Sequence, residues 1–523
     1  MPFTTIPLGK TTFQITTSVG QSLHTYDLRR GLNLVFLSRP QTPAQITATT
    51  SWKDRVFAAW GTSSSGRGLG VWVFKRGKRI DELRKADGLN EPINELLIFG
   101  SWIVGCCATK IEVWKSSTYE HYTTLTPLGP HSGSIYTGQI CNLPTYLNKV
   151  FAARANGSVE IWNVSSGKLV YTILPPSADA GPVTAMQPAP ALSLLAIAYR
   201  AGPLIVHDIR TDLTTVTLNS GSSRRGMISS ISFRTDGIGA GDDGTKVGVM
   251  ATAGLESGDV TFWDLNQGGR VMGVLRGAHS PPSTRGNAGR GGINKVEFLA
   301  GQPVVVTSGL DNAMKTWIFD ETPFSPIPRI LHSRSGHAAP VTAVDFLPSD
   351  ADGADKGGKW VMTAGQDRSL WGWSLRRDGQ STELSQGNIR KKAKKFGILA
   401  AGSNATEPSA SSEDLKAPPI TCMASSLNRD GGMGASTGDR GIWMNTRAGI
   451  AKRGATDTSS SNSTGWESVV TGHEGDKLAR TWFWGRKRAG RWAFETSDGG
   501  NVKVICPLRP LLRAFSLCIV TLT

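Results

Sequence analysis

Cysteine is scarce in this 523-residue chain, and none of its six thiols (Cys106, Cys107, Cys141, Cys422, Cys506 and Cys518) forms a CxxC pair or a Cys/His finger. That spacing speaks against a zinc site or a disulfide framework, and leaves reduced thiols of an intracellular protein as the simplest reading. Long apolar runs are missing too: no stretch of about 18 uncharged apolar residues occurs, and the N-terminal MPFTTIPLGK has no apolar signal core. The expectation is a soluble chain inside the cell. Catalytic signatures are equally absent, with no GxxxxGK[ST], GxSxG or HExxH. The stretch GAGDDG, 239–244, formally satisfies GxGxxG, but TKVGVMATAG after it reads as a strand rather than the helix a dinucleotide site needs. No enzyme, metal or cofactor is expected. Acidic residues are also in short supply: 41 against 57 basic ones, a net charge of +16 and a pI near 9.7. A basic field of that size favours polyanionic partners.

Glycine (61) and tryptophan (16) are plentiful, whereas only 19% of residues carry charge. Short strands joined by tight turns suit that mix, because glycine supplies the positive-φ positions that turns require. One unit recurs along the chain: a short apolar strand, a Gly/Asp turn, and a strand ending in an aromatic or histidine. It is seen in VFAARANGSVEIWN, VMATAGLESGDVTFWD and WVMTAGQDRSLWGWS. The marker residues are Tyr26, Trp72, Trp114, Trp162, His207, Trp263, Trp317 and Trp373, spaced by 42 to 56 residues. A period near 40 to 45, stretched by loops, is the signature of a four-stranded propeller blade. Such a sheet cannot bury both faces alone, so blades stack around an axis and cover one another. The expected fold is therefore all-β: a WD40-type propeller of seven blades, followed by the start of a second, incomplete one.

Two units carry a finer pattern. His337, Thr363, Asp367 and Trp373 match a hydrogen-bonded structural tetrad, with the aspartate six residues before the tryptophan, and Asp311 precedes Trp317 by the same interval. Thr307 and His279 complete that second set. A catalytic His–Asp dyad is the competing reading, but nothing nucleophilic recurs beside it. Asp476 stands at the same interval from Trp482, which makes LARTWFWGRKRAGRWAF a blade whose rings, Trp484 and Phe494 included, belong to buried sheet rather than to a nucleic-acid stacking platform. Between this blade's strands a loop of roughly 428–465 is expected; the alternative makes Trp443 the mark of a separate blade.

The spacing divides the chain into a first propeller over 1–379, a basic and Ser/Ala/Pro-rich linker over 380–419, a partial second propeller over 420–503 and an atypical tail over 504–523. Three basic stretches invite a functional reading. RKKAKK offers Arg390, Lys391, Lys392, Lys394 and Lys395 as a nuclear import signal, as phosphate contacts, or as a solvated linker. RGNAGRGG, with Arg285 and Arg290, resembles a very short RGG-type segment or a flexible interblade loop. GRKRAG places Arg486, Lys487 and Arg488 at a hairpin tip that could touch phosphate. FKRGKR, 74–79, reads as another charged tip.

SLHTYDLRRGLNLVFLSRPQTP, ITCMASSLNRDGG and WESVVTGHEGDKLARTWFWGRKRAGRWAFETSDGGNV resemble the WD-repeat subunit of the UTP-B subcomplex of the U3 small nucleolar ribonucleoprotein, the small-subunit processome. The resemblance implies two tandem propellers and a C-terminal helical domain. It further implies a non-catalytic scaffold in early maturation of the 18S ribosomal RNA precursor, in the nucleus and nucleolus. Other UTP-B subunits and processome proteins would be its partners, with pre-rRNA or U3 RNA contacted through basic loops and no membrane involved. After SDGGNV the chain departs from the family pattern, giving KVICPLRPLLRAFSLCIVTLT, so an open second propeller without the helical domain is expected. A WD-repeat adaptor without an RNA role, in ubiquitin transfer or trafficking, is the alternative.

Overall fold

A computed structural model describes residues 3–9, 12–61, 68–84, 90–127, 134–190, 193–201, 203–219, 227–236, 248–279, 292–320, 325–346, 360–375, 380–387, 416–425, 469–484, 487–495, 506–508 and 516–518. Strands dominate them. Short 3₁₀ turns such as Ala178–Ala180 and Leu265–Gln267 interrupt them. No helix among them is long and apolar enough to cross a membrane.

The chain divides into two compact units, 1–282 with 291–335 and 283–290 with 336–523. The first holds seven four-stranded antiparallel meanders, blades one to seven, at 3–37, 46–82, 95–125, 136–173, 183–219, 228–275 and 293–334. Each is built from four consecutive strands. The second strands read as apolar runs, such as Leu194–Tyr199 (LLAIAY) and Val304–Gly309 (VVVTSG), and are buried on both faces. Fourth strands such as Lys78–Glu82 face water. Full burial of a side chain such as Phe57 or Phe151 contributes about 1.5–3 kcal/mol. Every marker residue from Tyr26 to Trp317 lies on the third strand of its blade. In blades one and three to seven, a β-bulge between third and fourth strands falls immediately before that residue, where the added twist aims its ring into the space between blades.

First strands pack in sequence around the axis. The seam between blades seven and one is made by side chains: Thr5 Oγ1 donates to Glu297 at 2.5 Å, Lys295 Nζ donates to the Phe3 carbonyl at 2.7 Å, and Phe3, Ile15 and Tyr26 share a core with Leu299, Val306 and Met314. The first compact unit runs to residue 335, and the sheet bearing Trp373 falls in the second. The physical reason is that the sheet bearing Trp373, 341–383, finds its cover in the sheet 420–495: Met362 and Leu370 share a core with Ile420, Val469 and Trp482, and Ser425 Oγ donates to Asp345.

Ile420–Ser425 pairs directly with Val469–His473, so the intervening chain interrupts a single blade. Trp443 and the whole of that interruption lie outside the described residues. In the tail, Cys506–Leu508 and Ser516–Cys518 form a two-stranded antiparallel sheet rather than a four-stranded blade. Trp482, Phe483 and Trp484 are buried, whereas Trp492 and Phe494 are 48% and 40% exposed. The expectation that Phe494 is a core ring is thereby corrected: it lies on Arg488–Glu495, the outermost strand, which has no neighbour beyond it in its sheet.

Candidate functional site

The structure brings His337, Thr363, Asp367 and Trp373 into one relay. Trp373 Nε1 donates to Thr363 Oγ1 at 2.6 Å, the Thr363 hydroxyl lies 2.7 Å from His337 Nε2, and His337 Nδ1 donates to Asp367 at 3.1 Å. Burial works against the Asp367 charge, but donors from His337, Ser369 and the Ala338 amide outweigh it and hold the carboxyl below its ordinary range. Trp317, Thr307, His279 and Asp311 repeat the relay at 2.9, 2.8 and 2.9 Å. In the Trp482 blade it is altered: Trp482 still donates to Thr471, but the histidine is His473, two residues along the same strand, which donates to the Pro418 carbonyl, while Asp476 binds Arg480. These groups spend their polar atoms on one another across turns, the arrangement of a structural staple.

Blades three and four use charge where blades six and seven use threonine. Arg154 is completely buried and donates through Nη1 to Glu160 at 2.6 Å and through Nη2 to the Ser134 carbonyl. Tyr136 Oη and Trp162 Nε1 donate to the second Glu160 oxygen at 2.7 and 2.9 Å. In blade three, buried Glu112 gathers Lys110, His121 and Thr124 at 2.8, 2.9 and 2.6 Å. Sequence reading passed over both networks. Their signal was a glutamate two residues before the blade tryptophan, IEVW and VEIW, on a strand with both faces covered.

Along the axis of the first unit runs a cavity of about 530 Å³ lined by the first strands of its blades. Glu95 lies in it, and burial lifts its carboxyl from 4.5 to about 7, with Lys295 pulling the other way. Because the folded value exceeds the unfolded one, the stabilising protonated form is fully present below pH 4.5 and is lost as pH rises through 7. Glu95→Gln is therefore expected to be nearly neutral at pH 4 and to stabilise by about 1–3 kcal/mol at pH 8. Urea unfolding at the two pH values checks it; an equal difference at both would remove Glu95 as the cause.

Of the basic candidates, Arg285, Arg290, Arg390, Lys391, Lys392, Lys394, Lys395 and Arg486 lie outside the described residues, as does the GAGDDG stretch. Lys487 does not extend from the hairpin tip. Its ammonium packs against the Trp484 ring and lies 4.5 Å from the Trp360 centroid, and burial lowers it to about 7. Arg488 begins the exposed outer strand. In the FKRGKR hairpin, Arg76 and Gly77 both take positive φ, the two-residue turn that matches strand twist, and Arg79 stacks 4.0 Å over Trp72. Buried thiols Cys106 and Cys141 are pushed well above their ordinary range and Cys107 to about 12, each chiefly by desolvation, which leaves them unreactive. Among the described residues no cluster of three or more His, Cys, Asp or Glu side chains could hold a metal ion.

Seven meandering blades, each with its marker residue on the third strand, define the first unit as a WD40-type β-propeller. The chain belongs to the WDR36/Utp21 family: the family model for the WDR36/Utp21 first β-propeller matches residues 15–320. It is similar to the U3 small nucleolar RNA-associated protein 21 homolog of Schizosaccharomyces pombe, 32% identical over 95% of this chain and 45% of that protein. It is likewise 32% identical to U3 small nucleolar RNA-associated protein 21 of Saccharomyces cerevisiae, over 97% and 46%. WD repeat-containing protein 36 of Homo sapiens is 32% identical over 80% and 40%. The chain thus spans less than half the length of these curated relatives.

Proposed function

We propose that this chain is a non-catalytic scaffold in small ribosomal subunit biogenesis, acting in early processing of the 18S precursor in the nucleolus. The observation that carries the reading is membership of the WDR36/Utp21 family, two of whose similar members are named for association with U3 small nucleolar RNA. The fold supports it: strands spend their polar groups on ladders and relays, which leaves loops, outer strands and the axial opening as binding surface. The net charge of +16 suits an RNA-rich assembly. The sheets 341–383 and 420–495 are read as opening blades of a second propeller. UTP-B subunits are the proposed protein partners, and Arg390, Lys391, Lys392, Lys394 and Lys395, with Arg285, Arg290, Arg486 and Arg488, are the proposed RNA-contact or import residues.

Affinity purification of the tagged chain from nuclear extract should co-purify U3 RNA and 18S precursor, and ribonuclease treatment should leave processome proteins attached. Recovery of neither RNA nor processome protein would favour the adaptor reading instead. Replacing Lys391, Lys392, Lys394 and Lys395 by alanine separates two roles: lost nuclear entry with intact RNA recovery assigns import, and the reverse assigns phosphate contact.

A further inference from the structure

In six of the seven blades of the first unit, the marker residue on the third strand is an aromatic that fills the space against the preceding blade. Trp114 packs on Phe57 and Val71, Trp162 on Val104 and Val113, Trp263 on Ala196 and Leu204, and Trp317 on Phe262. Tyr26 packs on Val306 and Trp72 on Leu23 in the same way. Blade five breaks the pattern with His207. An imidazole is shorter and narrower than an indole, and blades four and five are left with a crevice of about 220 Å³ lined by Ile161, Tyr171, Ile173, His207, Ile209 and Asp212. An apolar cavity of about 150 Å³ is enough to hold benzene.

The crevice has both chemistries that an aromatic amino-acid side chain requires. Three isoleucines give its apolar walls. At the mouth, Tyr171 Oη donates to Asp212 Oδ2 at 2.5 Å and His207 Nε2 donates to Oδ1 at 3.1 Å. The hydrogen bond from Tyr171, then that from His207, hold Asp212 below the usual carboxylate range, so it is an acceptor at neutral pH, and a carboxylate with two donors keeps lone pairs for a third. The rim is apolar and exposed: Leu169, Val170 and Tyr171 follow one another on the outer strand of blade four, Leu174 comes just after it, and Leu213 is next to Asp212. Outer strands of a soluble propeller are normally polar on that side, and a run of exposed large side chains beside a pocket is the usual mark of a protein-binding surface.

We propose that the crevice between blades four and five is an anchor pocket for an aromatic side chain, tryptophan foremost, carried by a partner protein whose chain crosses the apolar rim at Leu169–Tyr171. The guest ring takes the place that blade five's own marker leaves unfilled, and its N–H or O–H donates to Asp212. This holds whichever assembly the propeller serves.

Ligand-observed NMR on the full chain tests it, with N-acetyl-tryptophanamide, free indole and N-acetyl-leucinamide as probes. The tryptophan amide is expected to bind saturably and at least tenfold more tightly than the leucine amide. His207→Trp, which fills the crevice from inside, should weaken it at least tenfold while the far-UV spectrum stays unchanged. If that variant does not fold, Ile173→Phe closes the crevice from the other blade and should have the same effect. Equal binding of the leucine amide would reduce the site to a non-specific apolar patch, and binding of indole without the capped amino acid would make it a small-molecule pocket; either result overturns the proposal. So does tryptophan amide binding that survives both crevice-filling variants.

Discussion

Glu160→Ala is expected to lower the stability of the first propeller by about 3–5 kcal/mol, because it strands a fully buried guanidinium. Arg154 donates to Glu160 and to the Ser134 carbonyl, lies 5.1 Å from the Tyr136 ring and is wholly buried, so its charge depends on these partners. Tyr136 Oη and Trp162 Nε1 lose their acceptor in the same step. The cost comes from the unpaired charge more than from the missing contact, which gives the prediction a second arm: Arg154→Met combined with Glu160→Leu should recover a good part of the loss, since a well-packed apolar pair removes both desolvation penalties. Equilibrium denaturation of the two variants decides it. A single variant within 1 kcal/mol of the parent, or a double variant worse than the single, would contradict the account of Arg154 as a charge that needs its partner.

Gly292→Ala should be nearly as damaging, at about 3 kcal/mol or more. The residue takes φ +91, where side chains are strained, and a Cβ built on it would lie 1.5 Å from the Leu255 carbonyl oxygen. That oxygen belongs to backbone and has nowhere to go without moving the turn that follows Val249–Gly254. The Gly292 carbonyl also accepts from the Leu310 amide at 2.9 Å, so a shift would disturb blade seven as well. A lowered melting temperature is the expected readout. Gly301→Ala provides the comparison: its φ is also positive, +66, but nothing lies within 4 Å of its Cβ position, and a markedly smaller effect is expected there. Equal effects at the two sites would assign the cost to backbone strain alone.

Gly292 also shows how a sequence signal can point in two directions at once. It ends RGNAGRGG, which by composition resembles a very short RGG-type segment or a flexible interblade loop, yet its own place is dictated by the approach of a neighbouring carbonyl. The blade architecture was legible because an indole at the end of a middle strand is a large, periodic mark, and the His–Thr–Asp–Trp relays because their intervals are fixed by a turn. The boundary of the first propeller was less so. Blade spacing continues unbroken from Trp317 to Trp373, and only packing shows that the later sheet shares a core with Ile420 and Trp482. Lys487 was misplaced for a related reason: charge predicts water, but two indoles nearby offer a cation a competing surface. Arg154 and Glu160 look like ordinary surface charges until both faces of their strands are known to be covered.

The side-chain seam between blades seven and one carries a consequence for how the ring is made. Each blade is drawn from consecutive sequence, so among the described residues no strand from the far end of the ring is woven into the first sheet, and the circle is latched through side chains such as Thr5 and Lys295. During synthesis the face presented by Phe3, Ile15 and Tyr26 has no lid until the chain through Met314 has left the ribosome. Until then the growing propeller is an arc whose first edge leaves those apolar side chains uncovered.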